Sequence, residues 1–123
     1  MSVKLLVIDD DSAVTDLLSL LLRSHGFEVG ATNNSTEGLS MIRDNSPDVV
    51  ILDLMMPDMD GYEAMRIIRK TPGLKNARIV AVTAQAMRGD KEKCIEAGAS
   101  YYIAKPINVD ELLNYLENGD ENN

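Results

Sequence analysis

With 123 residues, 45% of them hydrophobic and 26% charged, the chain has the size and balance of one soluble globular domain that needs no disulfide or structural metal to close its core. Its single cysteine, Cys94, excludes an intrachain disulfide framework, and its net charge of −8 argues against direct nucleic-acid binding, which needs a basic stripe. No apolar run reaches the ~18 residues of a membrane span. Carboxylates interrupt the opening stretch MSVKLLVIDDD too early for a signal peptide. The expectation is a cytoplasmic protein with neither membrane nor nucleic acid among its direct partners.

Taken in chain order, short apolar runs at 4–8 (KLLVI), 27–31, 49–54 (VVILDL), 78–83 (RIVAVT) and 101–104 read as strands. Amphipathic stretches at 12–25, 35–45, 61–70, 87–97 and 109–117 read as helices. Ser12 is placed to cap the first helix and Gly26 to close it. Ser35 opens the second, Gly98 follows the fourth, and Asn108 or Asp110 opens the last. On the first helix Val14, Leu17, Leu18 and Leu21 form an apolar stripe, with Ala13 and Leu20 outside it. The central strands are nearly continuous in Val, Ile and Leu, the mark of parallel strands covered on both faces.

The strand ends Asp9, Ala31, Asp53, Thr83 and Lys105 follow one another at 22, 22, 30 and 22 residues, the length of one strand–helix unit. Five such units predict an α/β, doubly wound, five-stranded parallel sheet with five helices, whose site lies at the carboxyl edge. Four of the five ends carry polar groups suited to chemistry there, Asp9 with Asp10, Asp53, Thr83 and Lys105, and only Ala31 is blank. Carboxylates brought that close repel and hold either a proton or a cation. Magnesium prefers one or two carboxylates, waters and a phosphate oxygen, so Asp10 and Asp53 are the direct candidates and Asp9 acts through water. Manganese is the alternative ion. Lys105 and Thr83 add a cation and a hydroxyl donor around one carboxylate nucleophile, a set suited to phosphoryl transfer.

These residues resemble the response-regulator receiver family of two-component signalling, and the chain is similar in size to its chemotaxis and cell-division regulators. The resemblance runs from Lys4 to about Leu116. It is carried by VIDDDS at 7–12, DLMMPDMDG at 53–61, VTA at 82–84 and the run from Gly98 to Pro106. It implies a flavodoxin-like fold with strand order 2-1-3-4-5 and a receiver domain over 1–118, followed by a polar tail or linker start at 119–123. It implies further that Asp53 is the phosphoacceptor, that Asp10, Asp53 and the Met55 carbonyl bind the metal with Asp9 behind them, and that Lys105 contacts the phosphoryl group. Thr83 would be the switch hydroxyl, Tyr102 the aromatic that follows it inward, and Lys105–Pro106 a cis bond. The implied donor is a sensor histidine kinase or a histidine phosphotransfer protein, and the output is a downstream protein partner. The chain is then a signalling switch, not an enzyme with an external product.

Some positions depart from the family pattern. Receivers often carry two acidic residues where this chain has Ser100 and Tyr101, and its last helix has no basic residue. An ion-paired dimer through that face is therefore not expected, and the unphosphorylated chain is expected to be a monomer. Of the adjacent tyrosines, Tyr102 has the switch spacing and Tyr101 is expected to be exposed. Bulky Met55 is expected to slow hydrolysis of the acyl phosphate. His25 reads as a helix end and Cys94 as a small core residue. An aspartate-nucleophile phosphohydrolase is disfavoured because Met55 stands where its general acid is needed. A flavodoxin-type cofactor binder lacks its phosphate loop.

Overall fold

The computed structural model describes residues 3–84 and 89–118. The chain runs β1 (Lys4–Ile8), α1 (Ser12–Ser24), β2 (Glu28–Thr32), α2 (Ser35–Asn45) and β3 (Val49–Asp53). Two short strands follow, β4 (Met55–Met56) and β5 (Met59–Asp60), then α3 (Gly61–Lys70) and β6 (Arg78–Thr83). The last elements are α4 (Asp90–Ala97), β7 (Tyr101–Ala104) and α5 (Val109–Asn118). Five strands form one parallel sheet in the order β2-β1-β3-β6-β7, while β4 and β5 pair with each other as a small antiparallel hairpin. Counted over the five core strands, this is the expected order 2-1-3-4-5.

Alternation along each strand splits the core into two layers. Leu6, Ile8, Val50, Leu52 and Ala81 pack with Ile42, Met65, Ile68 and Cys94 of α2, α3 and α4. Leu5, Val7, Ile51, Val80, Val82 and Ile103 pack with Leu18 and Leu22 of α1 and with Leu112, Tyr115 and Leu116 of α5. Each fully buried Leu, Ile, Val or Met of these layers contributes roughly 1.5–3 kcal/mol, while the short α4 buries Cys94. Cys94, at its centre, is fully buried. The N-terminal part expected for this helix, 87–89, lies partly outside the described residues, and the helix itself begins at Asp90. No helix among the described residues is long and apolar enough to cross a membrane.

Several local expectations shift. Asp11, not Ser12, caps α1, its side chain accepting the Ala13 N–H at 3.0 Å. The buried face of α1 is Thr15, Leu18, Ser19 and Leu22, so the stripe is rotated by one residue and Leu17 stands 54% exposed. The reason is polar: Thr15 is needed inward, where it receives a hydrogen bond from Asn33. β2 ends one residue later than expected, on buried Thr32. Tyr101 is half-buried and not exposed. Its ring stacks on Tyr115 with centroids 4.4 Å apart, and its hydroxyl donates to Glu111 at 2.8 Å.

Close backbone approaches set both edges. A Cβ on Gly61 would lie 2.6 Å from Leu54 Cα, so only glycine lets α3 start against the end of β3. At the opposite edge Gly98, at φ 124°, ends α4 and turns its carbonyl to Arg69. The Arg69 guanidinium donates to Gly98 O at 2.6 and 3.0 Å, to Lys75 O at 3.1 Å, to Ala77 O, and to Ser100 Oγ at 3.3 Å. Ser100 Oγ in turn accepts the Ile79 N–H at 3.1 Å. The serine that replaces an acidic residue is therefore a bridge between β6, β7 and the end of α3.

Candidate functional site

Parallel pairing brings every strand's carboxyl end to one edge, and there the loops after β1, β3 and β7 meet. Asp9 and Asp53 are both 3% exposed, while Asp10 faces solvent. One oxygen from each of Asp9, Asp10 and Asp53 falls within 4.8 Å of the others. Lys105 Nζ lies 2.9 Å from Asp9 Oδ2 and 3.3 Å from Asp53 Oδ2. Asp53 Oδ1 accepts the Met55 N–H at 3.0 Å, and Asp9 Oδ1 accepts the Asp11 N–H at 2.9 Å. Lys105 is held by its own backbone N–H, which donates to Thr83 O at 2.8 Å, and the Lys105–Pro106 bond is cis.

Electrostatics describes an incompletely neutralised site. Burial pushes the Asp53 carboxyl above its ordinary value; the Met55 N–H and Lys105 work against this, and repulsion from Asp9 adds to it. Burial alone would lower Lys105, but the hydrogen bond to Asp9 and the charges of Asp53 and Asp9 outweigh it, leaving Lys105 raised. Three carboxylates against one ammonium leave two negative charges, which one divalent cation would balance. The donor set is all oxygen and includes one exposed carboxylate, which suits a hard, partly hydrated cation such as magnesium or manganese. The residues present fit such an ion.

The remaining expected residues take the following places. Thr83 is buried at the end of β6, beside β3, where Asp53 pairs with Val82. Tyr102 pairs with Ala81 and so shares a sheet face with Thr83. Its ring packs against the α3–α4 layer, and its buried hydroxyl has no hydrogen-bond partner among the described residues. Met55 donates its N–H to Asp53, while its side chain is 49% exposed.

Three residues that sequence reasoning did not assign to the site also reach this edge: Asn33, Ser35 and Asp58. Asn33 Nδ2 donates to the Asp9 carbonyl at 2.8 Å, and Ser35 Oγ donates to Asp58 Oδ2 at 2.8 Å. The run NNS before an apolar stretch signals a helix start, but nothing local says which loops it touches.

Comparison with known proteins places this geometry in context. The family model described as response regulator receiver domain matches residues 5–117. The DNA-binding response regulator MtrA of Mycobacterium tuberculosis is 36% identical over 110 residues, covering 89% of this chain and 47% of MtrA. The chain thus spans about half the length of that relative. The chemotaxis protein CheY4 of Vibrio cholerae superposes with a TM-score of 0.89 at 28% identity, covering 96% of this chain and 98% of its own. The receiver domain of Ssk1 from Saccharomyces cerevisiae, solved with the histidine phosphotransfer protein Ypd1, gives 0.82 at 25% identity over 92% of this chain and 85% of that one.

Proposed function

The chain belongs to the response-regulator receiver family, and we propose that it is the phosphoacceptor switch of a two-component system or phosphorelay, with Asp53 as the acceptor. The observation that carries this reading is the cluster of Asp9, Asp10 and Asp53 around Lys105. An Asp53 oxygen attacks the phosphorus of a phosphohistidine donor, the P–N bond breaks, and the imidazole leaves with the electron pair. Lys105 meets the charge on the transferred group, and the Met55 N–H orients the carboxylate. Asp10, Asp53 and the Met55 carbonyl would hold a divalent cation, with Asp9 behind them, and that ion supplies charge neutralisation for the phosphoryl oxygens. Magnesium is the proposed ion and manganese its substitute. The chain assists its own phosphorylation and dephosphorylation and has no external product.

The phosphoryl group brings almost two negative charges and three acceptor oxygens. Thr83 and Lys105 gain a partner in that state, so the loops after β6 and β7 are drawn to the site. Tyr102, on the same sheet face as Thr83, follows, and the α4–β7–α5 face changes shape for a protein partner. Leu17 and Leu20 stand exposed three residues apart on α1, a surface proposed to dock the histidine kinase or phosphotransfer protein. Met55 also shields the acyl phosphate, so Met55→Asn should lose phosphate faster than wild type.

The test is intact-protein mass after incubation with acetyl phosphate and magnesium. One added phosphoryl mass is expected on wild type, none on Asp53→Asn, and none with chelator. No adduct on wild type under any condition would leave a protein-binding module that does not take phosphate.

A further inference from the structure

We propose that Asn33 and Ser35, in the connection from β2 to α2, are positioning residues that brace the two loops carrying the metal ligands. The inference rests on the metal reading above and deepens it. Of the loops at the carboxyl edge, the one after β2 supplies no ligand, and its strand end looked blank in the sequence. In the structure it lies between the loop with Asp10 and the hairpin with Met55, and it is hydrogen-bonded to both.

One side of the brace is Asn33. Its Nδ2 donates to the Asp9 carbonyl at 2.8 Å and to Thr15 Oγ1 at 3.0 Å, so it ties the peptide between Asp9 and Asp10 to the first turn of α1. The other side is Ser35, which is 3% exposed. Its hydroxyl donates to Asp58 Oδ2 at 2.8 Å, and its backbone N–H approaches the same oxygen at 3.4 Å. Asp58 sits in the turn between β4 and β5, whose pairing sets Met55 opposite Asp60. Its carboxylate at the start of α2 also has a favourable place in the helix dipole. The loop itself is stiff: Thr32 Oγ1 accepts the Asn34 N–H at 3.2 Å and donates to Glu37, and Asn34 Oδ1 accepts the Glu37 N–H at 2.8 Å.

A small cation such as magnesium demands near-ideal octahedral geometry, so a slight drift of one ligand loop against the other lowers affinity. The β2–α2 connection sets that separation through neutral and anionic hydrogen bonds, without touching the ion.

The experiment is manganese affinity of the full, unphosphorylated chain, read from free Mn2+ by electron paramagnetic resonance. Ser35→Ala, Asp58→Ala and Asn33→Ala should each weaken binding by roughly three- to tenfold, at or below the low end of what direct partners of metal ligands contribute, because these residues act one step further out. Asp58→Asn keeps an acceptor for Ser35 and should restore most of the affinity, and Ser35→Ala with Asp58→Ala should be no worse than either alone. Melting temperatures in chelator should stay close to wild type, separating positioning from unfolding. The brace is overturned if the three alanine variants bind like wild type while Asp10→Asn binds weakly. It is also overturned if Asp58→Asn is as weak as Asp58→Ala and Ser35→Ala is unaffected, since charge alone would then be the cause. If wild type binds no manganese and Asp10→Asn changes nothing, the brace and the metal reading fall together.

Discussion

Two partly buried cations stand at opposite edges of the sheet, Lys105 at the carboxyl edge and Arg69 at the other. Arg69 faces backbone carbonyls and Ser100, and all of its polar neighbours are acceptors satisfied by it. Burial lowers its pKa, with the charge of Tyr115 acting the other way. Lys105 faces Asp9 and Asp53, and its pKa is raised despite its burial. The first arrangement is complete as it stands and holds the fold. The second has more negative charge than its one cation balances, and that imbalance leaves room for a ligand.

Removing each cation should separate these roles. Arg69→Ala leaves the Gly98 and Ala77 carbonyls without their donor and should lower stability by about 3 kcal/mol, at ~1–3 kcal/mol per buried orphaned group. Urea denaturation reads this, and millimolar magnesium should not restore it. Lys105→Met leaves two buried carboxylates unopposed and should cost about 2 kcal/mol, less than a fully buried pair because its side chain is 23% exposed. Here magnesium should recover much of the loss; an equal loss with and without the ion would erase the contrast between the edges. Asp53→Asn removes one of the crowded charges and should stabilise the metal-free protein by on the order of 1 kcal/mol. A less stable Asp53→Asn in chelator would mean that Lys105 already neutralises the site.

The smallest effect concerns Tyr62, next to Gly61 at the start of α3. Burial, followed by the hydrogen bond with Cys94 and the nearby Asp90 and Tyr102, pushes its pKa up to about 12 from the ordinary 10. The raised value means that folding favours the neutral phenol, so this contribution is whole below about pH 10 and is lost as pH rises toward about 12. Tyr62→Phe should flatten the alkaline fall in melting temperature over that window, and an unchanged slope would assign it to other groups.

The acidic cluster was legible because three carboxylates, a hydroxyl and an amine recur at strand ends with a steady spacing, and parallel strands carry their ends to one edge. Lys105 beside Asp53 followed from that rule although they are 52 positions apart. The stripe of α1 was read one residue out, because hydrophobicity alone does not know that Thr15 must turn inward to meet Asn33. Ala31 was read as a blank strand end because the strand runs one residue further, to Thr32.

From the sequence by itself came the five strand–helix units, the strands buried on both faces, and the residues gathered at the carboxyl edge. Periodicity and side-chain chemistry are local properties, and both are written along the chain. Only the tertiary structure decided that Ser100 bridges to Arg69 and that Ser35 meets Asp58, 23 positions away. Those are pairings between polar groups distant in the chain. Each is selected by distance and by the need to satisfy a buried donor or acceptor, and no spacing rule encodes either condition.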